Sequence, residues 1–161
     1  MRVGEIMTRS VVFCRPETNL AVAASLMWDY DCGLLPVVSA KGRVIGVITD
    51  RDICVALGTR NVPASRITVS RVTSGRILTC RPDDEIHAAL KIMRTARIRR
   101  LPVINETGAL VGVLSINDIV LRARHYDGTK RSGISYEDVV NTFLVICQHR
   151  SQPGNRQLVA A

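Results

Sequence analysis

The chain reads Leu35-Pro-Val-Val38 and then Gly46-Val-Ile-Thr-Asp-Arg-Asp-Ile53, and 66 residues later it reads Leu101-Pro-Val-Ile104 and then Gly112-Val-Leu-Ser-Ile-Asn-Asp-Ile119. The register between the two copies holds without a gap. A fixed internal period of this kind is the signature of a duplicated structural unit. The sequence therefore predicts two copies of one fold.

Each copy predicts the same order of elements. A short apolar run that ends at a proline predicts a first strand, over Val11–Cys14 and over Ile77–Cys80. Apolar residues then recur at helical spacing and predict an amphipathic helix. Two β-rich runs flank Lys41-Gly42 in one copy and Thr107-Gly108 in the other, which predicts a hairpin, and a second helix closes the unit. The expected fold class is α/β (α+β), with two β-α-β-β-α units.

We expect the first unit to span residues 1–62, the second residues 63–126 and an unrepeated extension residues 127–161. A unit of about 60 residues buries little surface by itself, so the two units should pack on each other as a pseudo-twofold pair. Such a pair has two related clefts, each lined by both halves, and clefts between domains are favoured ligand sites.

The extension predicts one more helix, over residues 135–149. It begins with Ser135 and Asp138 in a Ser-x-x-Asp pattern and continues with an apolar stripe. This stripe needs burial, either on its own module or on a second chain. Residues 150–161 predict a loose tail.

Composition excludes several classes of protein. Apolar residues make up 47% and charged residues 22%, which is typical of a folded globular chain. Since no apolar run approaches the roughly 18 residues of a membrane span and Glu5 does not fit a signal peptide, we expect a cytosolic protein with no membrane partner. The formal net charge is +8, most of it within residues 63–126, and it favours anionic partners.

The cysteines and histidines predict no metal site. The five cysteines form no C-x-x-C pair, which argues against disulfides and a zinc ribbon and favours reduced thiols. The spacing of His87, His125 and His149 does not suit metal ligation, and we expect His87 at the surface.

The most specific local pattern is a glycine in a strand, then a hydroxyl residue, then a carboxylate three residues later. It occurs with Thr49 and Asp52, and again with Ser115 and Asp118. One interpretation is helix capping, in which the hydroxyl accepts from a free backbone amide and the carboxylate favours the positive end of the helix. The other is ribose binding, in which the carboxylate accepts from vicinal hydroxyls and the glycine lets a ligand approach the backbone. The two roles are compatible.

Residues 1–126 resemble a tandem pair of CBS domains. The resemblance rests on the lead-in Val3-Gly-Glu-Ile-Met-Thr8, the Leu-Pro-Val strand and the duplicated Gly-x-x-[Thr/Ser]-x-x-Asp turn. The segment from Gly46 to Ile53 is similar to the regulatory insert of inosine monophosphate dehydrogenase. Because the catalytic barrel of that enzyme is missing here, the resemblance implies regulation and not an enzyme.

The resemblance also implies ligand contacts. It assigns the ribose to Thr49 and Asp52 or to Ser115 and Asp118, and the phosphates to Arg99 and Arg100, which precede the second Leu-Pro-Val strand. The two arginines are expected in the cleft of the second half, where guanidinium groups match phosphate oxygens. The adenine is expected against Thr8, Val12 and Val113, with Val47 as the counterpart of Val113 in the first half.

The function implied is a stand-alone regulatory module that binds AMP, ADP or ATP, needs no cofactor and acts on an unknown protein target. S-adenosylmethionine or a dinucleotide would share the same adenosyl contacts. Because tandem CBS pairs commonly dimerise, we favour a homodimer in which the extension helix packs on the second chain. The alternatives are nucleic-acid binding through the basic second half, which lacks aromatic platforms, and an interaction module with empty clefts.

Overall fold

The computed structural model describes residues 1–73, 77–125 and 133–148 and has an α+β fold. Its helices are α1 (Val3–Ile6), α2 (Leu20–Asp29), α3 (Asp50–Arg60), α4 (Ile86–Ala96), α5 (Ile116–Val120) and α6 (Tyr136–Cys147). Its strands are β1 (Leu34–Val38), β2 (Val44–Thr49), β3 (Arg100–Ile104) and β4 (Leu110–Ser115). No helix within these ranges is both long and apolar enough to cross a membrane.

The two predicted hairpins are confirmed. Strand β1 pairs antiparallel with β2, and β3 pairs antiparallel with β4 in the equivalent register. Gly42 and Gly108 occupy the turns with φ of 77° and 82°, the left-handed region that glycine adopts without steric cost. The hairpins also meet each other, since the Val44 N–H donates to the Gly108 carbonyl at 3.0 Å.

The predicted first strands are wrong in extent. Each is reduced to a single parallel bridge, between Cys14 and Val37 in one half and between Cys80 and Val103 in the other. The reason lies in the neighbouring strands: continuing the pairing before each cysteine would need an N–H from Pro36 or Pro102, and proline has none.

The segments that lead into each unit are exchanged between the halves. Val3 and Met7 are buried in the core of the second half, whereas Ile67 and Val69 are buried in the core of the first. The backbone connections are equivalent: the Val3 N–H donates to the Asp84 carbonyl at 3.0 Å, and the Val69 N–H donates to the Thr18 carbonyl at 2.8 Å. Each core is therefore completed by chain from the other half of the sequence.

Helix α6 starts at its predicted cap, Ser135, and packs on α4 and α5 of the second half. Ile134 and Val139 are buried in that core, while Leu144 is 60% exposed. We expected the apolar stripe to pack on a second chain. This expectation is wrong for the buried residues of α6, which pack on the second half of the same chain. The predicted helix end at His149 and the tail 150–161 lie outside the described residues.

Burial raises the pKa of the Cys14 thiol to about 11 and that of the Cys80 thiol to about 12. A thiol that stays protonated at neutral pH is a poor nucleophile. These two cysteines are therefore packing residues. All five cysteines are free thiols.

Candidate functional site

The turn between β4 and α5 forms a complete capping box. The Ser115 N–H and hydroxyl both donate to Asp118 Oδ2 at 2.7 Å, and the Asp118 N–H donates back to Ser115 Oγ at 3.2 Å. Thr49 and Asp52 form the same box between β2 and α3, with distances of 2.9, 2.7 and 3.2 Å. The capping interpretation is confirmed at both turns.

In the second half, the helix cap involves one oxygen of the Asp118 carboxylate, and the other oxygen accepts no capping bond. Asp118 Oδ2 takes both bonds from Ser115, whereas Oδ1 receives a long contact of 3.4 Å from the Thr8 hydroxyl. No further donor to Oδ1 is found among the described residues. The second oxygen can therefore accept from a ligand without breaking the helix cap.

Gly112 has a structural role that differs from the one predicted. The Thr8 N–H donates to the Val113 carbonyl at 3.0 Å, and the Val113 N–H donates to the Thr8 carbonyl at 2.9 Å. A Cβ on Gly112 would lie 2.7 Å from the Thr8 carbonyl oxygen and 2.9 Å from Met7 Sδ. The glycine thus admits the lead-in backbone, where the sequence suggested room for a ligand.

A cleft of about 240 Å³ opens beside this turn, between the two halves. The second half contributes Arg100, Val113, Ser115, Asn117 and Asp118. The opposite wall consists of residues from the lead-in and from the end of α2: Thr8, Ser10, Val11, Val12, Tyr30, Asp31, Cys32 and Leu34. The cleft joins apolar surface with a carboxylate and a guanidinium, which is the mixture that binding a small polar molecule requires.

The structure brings together six of the residues predicted for a ligand site, which are Thr8, Val12, Arg100, Val113, Ser115 and Asp118. It does not bring Arg99 to this cleft. Side chains alternate in direction along an extended segment, and Arg99 is exposed while the neighbouring Arg100 lines the cleft. Of the two arginines only Arg100 lines this cleft, and the phosphate contact expected of both stays a prediction.

Thr49, Asp52 and Val47 lie in the first half, away from this cleft, and all three are half-buried. In the repeat register, residue 74 corresponds to Thr8, which closes the cleft at Asp118. Because residues 74–76 lie outside the described residues, the ligand role expected of Thr49, Asp52 and Val47 stays a prediction.

Sequence reasoning missed the wall formed by Tyr30, Asp31 and Cys32. The residues before the Leu-Pro-Val strand of the first half line the cleft that contains Asp118 of the second half. The sequence did not reveal that the lead-in segments are exchanged between the halves, and this exchange determines which residues of the two copies face each other across the cleft. Asn117, one position before Asp118, was a further lining residue that the motif itself contained.

Charges from both halves meet around Cys32. Burial raises the pKa of its thiol, nearby Arg100 lowers it and Asp31 raises it. Arg100 lies over Gly33: a Cβ added there would be 3.6 Å from Arg100 Nη1 and 2.8 Å from Asp50 Oδ2. The guanidinium therefore reaches across the interface to Gly33 of the first half.

The family comparison agrees with this architecture. The CBS domain matches residues 3–59 and again residues 69–124. The chain belongs to the CBS domain family. The lead-in helix and the capped turn that form the cleft both fall inside the matched ranges.

Relatives share the pair but differ in what surrounds it. The 17.7 kDa protein in the bps2 3′ region of Acidianus ambivalens is 34% identical over 144 residues, which cover 89% of this chain and 85% of that protein. Inosine-5′-monophosphate dehydrogenase of Mycobacterium tuberculosis is 31% identical over 126 residues, which cover 78% of this chain and 23% of the enzyme. The similarity to the dehydrogenase thus concerns about a quarter of its length.

Among solved structures, the CBS domain protein PAE2072 from Pyrobaculum aerophilum, complexed with AMP, has a TM-score of 0.68. It is 27% identical, and the match covers 74% of this chain and 90% of that one. This CBS domain protein therefore has the same fold as the present chain over 90% of its length.

Proposed function

We propose that this chain is a cytosolic regulatory module without catalytic activity, which binds an adenosine nucleotide in the cleft at Asp118. The observation that carries the proposal is that the two oxygens of the Asp118 carboxylate have different partners. Oδ2 accepts the two capping bonds from Ser115, and Oδ1 receives only the long contact from Thr8 among described residues. A ribose offers two vicinal hydroxyls, which a carboxylate oxygen accepts well.

The rest of the cleft suits the remaining parts of such a ligand. Val12 and Val113 supply apolar surface for a purine, and Arg100 supplies a cation for a phosphate. The AMP complex of PAE2072 supports this choice of ligand class. AMP, ADP and ATP share the adenosyl contacts, as do S-adenosylmethionine and dinucleotides.

Thermal unfolding with added ligand tests the proposal. A ligand that binds only the folded state raises the melting temperature as its concentration rises. We expect at least one of AMP, ADP, ATP and S-adenosylmethionine to do so at millimolar concentration, and mass spectrometry of material released from the purified protein to detect an adenosyl compound. If all four leave the transition unchanged while single-stranded DNA raises it, the basic second half is a nucleic-acid site and the proposal is wrong.

We further propose that the chain forms a homodimer that binds a protein target, and that ligand binding changes this association. Large exposed apolar side chains support an interface with another chain: Trp28 on α2 is 86% exposed, and Leu121, directly after α5, is 82% exposed. Light scattering on the full chain and on the Trp28→Glu and Leu121→Glu variants tests the dimer. We expect twice the chain mass, reduced by one or both substitutions, and a monomer mass at all concentrations would contradict it.

A further inference from the structure

Among the described residues, three charged side chains line the cleft, and two of them are negative: Asp31, Asp118 and Arg100. Under the proposed function, Asp118 accepts from the ribose. Arg100 and Asp31 are then the charged side chains that can interact with a phosphate group attached to the ribose. A cleft that uses a single cation next to an anion is unusual for a ligand with several phosphates, whose negative charges need several donors.

The position of Asp31 is fixed by the end of α2. The Asp31 backbone lies in the left-handed region with φ of 46°, the Asp31 N–H donates to the Trp28 carbonyl at 3.3 Å, and the Cys32 N–H donates to the Met27 carbonyl at 2.9 Å. Arg97 has the equivalent place after α4, with φ of 54°. The same backbone position thus carries opposite charge in the two halves, and the cleft at Asp118 receives the negative one.

The surroundings of Arg100 contain carboxylates. Asp50 Oδ2 and Arg100 Nη1 both lie within 4 Å of the point where a Gly33 Cβ would be. Asp31 and Arg100 both act on the Cys32 thiol, with opposite effects on its pKa. A phosphate beyond the first would therefore meet the carboxylate of Asp31, and the described lining offers it no second guanidinium.

We propose that Asp31 is a specificity residue that limits the cleft to adenosine ligands with one phosphate and rejects the triphosphate. The inference deepens the proposed function and rests on it. Arg100 binds the single phosphate, and Asp31 repels the next ones.

Calorimetric titration of the full chain with adenosine, AMP and ATP, without divalent cations and at low salt, tests this specificity. We expect AMP to bind about tenfold or more tightly than ATP. Asp31→Asn removes the charge and keeps a residue that tolerates the left-handed backbone. This substitution should tighten ATP binding about threefold, leave the affinity for adenosine unchanged and reduce the ratio of AMP affinity to ATP affinity. Added salt should reduce the same ratio in the parent protein.

Asp29→Asn is the matched control, because it makes the same charge change two residues earlier on α2, outside the cleft lining. It should leave the ratio of AMP to ATP affinity unchanged. Equal affinity of the parent protein for AMP and ATP, an unchanged ratio in Asp31→Asn, or equal effects of both substitutions would overturn the specificity role while leaving nucleotide binding intact. Failure of adenosine, AMP and ATP all to bind would instead overturn the proposed function, and this inference with it.

Discussion

The two halves share their turn chemistry and differ in their packing. Both have a hairpin in the same register, followed by a hydroxyl and carboxylate capping box. After that box the first half continues as an 11-residue helix, α3, while the second half has only the five-residue α5. The comparison shows that local sequence reproduces the turn in each copy, whereas the surroundings of the turn are free to diverge.

Helix α6 covers the second half where its own last helix is short. It contacts α4 and α5, and the Arg124 N–H donates to the Ile134 carbonyl at 3.0 Å to hold its start. The first half completes its core with α3 and the lead-in residues Ile67 and Val69. The stability of the second half therefore depends on chain beyond the repeat.

The largest expected effect breaks this dependence. Ile134 is fully buried in the core of the second half, so Ile134→Ala should lower the free energy of unfolding by about 2–5 kcal/mol, as large-to-small core substitutions do. Urea denaturation measures it. Leu144→Ala on the exposed face of α6 is the control and should change the monomer stability little. Equal small losses for both variants would show that α6 contributes nothing to this core.

The next effect concerns the contact between the lead-in and β4. Gly112→Ala places a Cβ 2.7 Å from the Thr8 carbonyl oxygen, so we expect a loss of about 1–3 kcal/mol in the free energy of unfolding from overpacking. Gly58→Ala on α3 meets nothing within 4 Å and should stabilise by about 0.5–1 kcal/mol. Thermal and urea denaturation of both variants should therefore move in opposite directions. A neutral Gly112→Ala would mean that the lead-in does not pack against β4.

A third effect compares the two carboxylates directly. Asp118→Ala and Asp52→Ala remove the same capping bonds, so they should destabilise similarly. Only Asp118 lines the described cleft, and its loss should weaken AMP binding by about 1–3 kcal/mol, as for a charge-assisted hydrogen bond. Calorimetry should find Asp52→Ala much closer to the parent protein. The reverse ranking would place the ligand at the first turn.

The smallest effect is a pH dependence confined to the second half. His87 Nε2 lies 3.5 Å from Asp138 Oδ2 at the start of α6. Burial raises the pKa of Asp138, but hydrogen bonds from Ser135 and the charge of His87 outweigh it and leave the pKa below its ordinary value of 3.8. A depressed carboxyl pKa stabilises the fold above the unfolded value, and this contribution is lost as pH falls through the folded value.

Unfolding measured between pH 2 and pH 6 tests this pH dependence. In Asp138→Asn, the free energy of unfolding should fall less steeply toward acid pH than in the parent protein. Asp29→Asn on α2 should leave the pH dependence of the unfolding free energy of the second half unchanged. An identical profile in Asp138→Asn would show that the contact between α4 and α6 carries no pH dependence.

The sequence by itself determined the features that depend on neighbouring residues. The duplication, both hairpins, and the caps at Thr49, Ser115 and Ser135 could be predicted because turn chemistry and helix capping act within about four residues along the chain. The same reasoning predicted α6, whose start combines a Ser-x-x-Asp pattern with an apolar stripe. The extent of the first strands could not be predicted, since it depends on how far β1 and β3 accept a parallel neighbour.

Only the tertiary structure decided which residues share a cleft. Exchange of the lead-in segments brings Thr8 to Asp118 and sets Asp31 and Cys32 opposite Arg100. No periodicity in the sequence encodes these pairings, because they join residues up to 110 positions apart whose side-chain directions follow from packing. Arg99 shows the limit most directly: it is adjacent to Arg100 in sequence, yet the alternation of an extended chain keeps it out of the cleft that Arg100 lines.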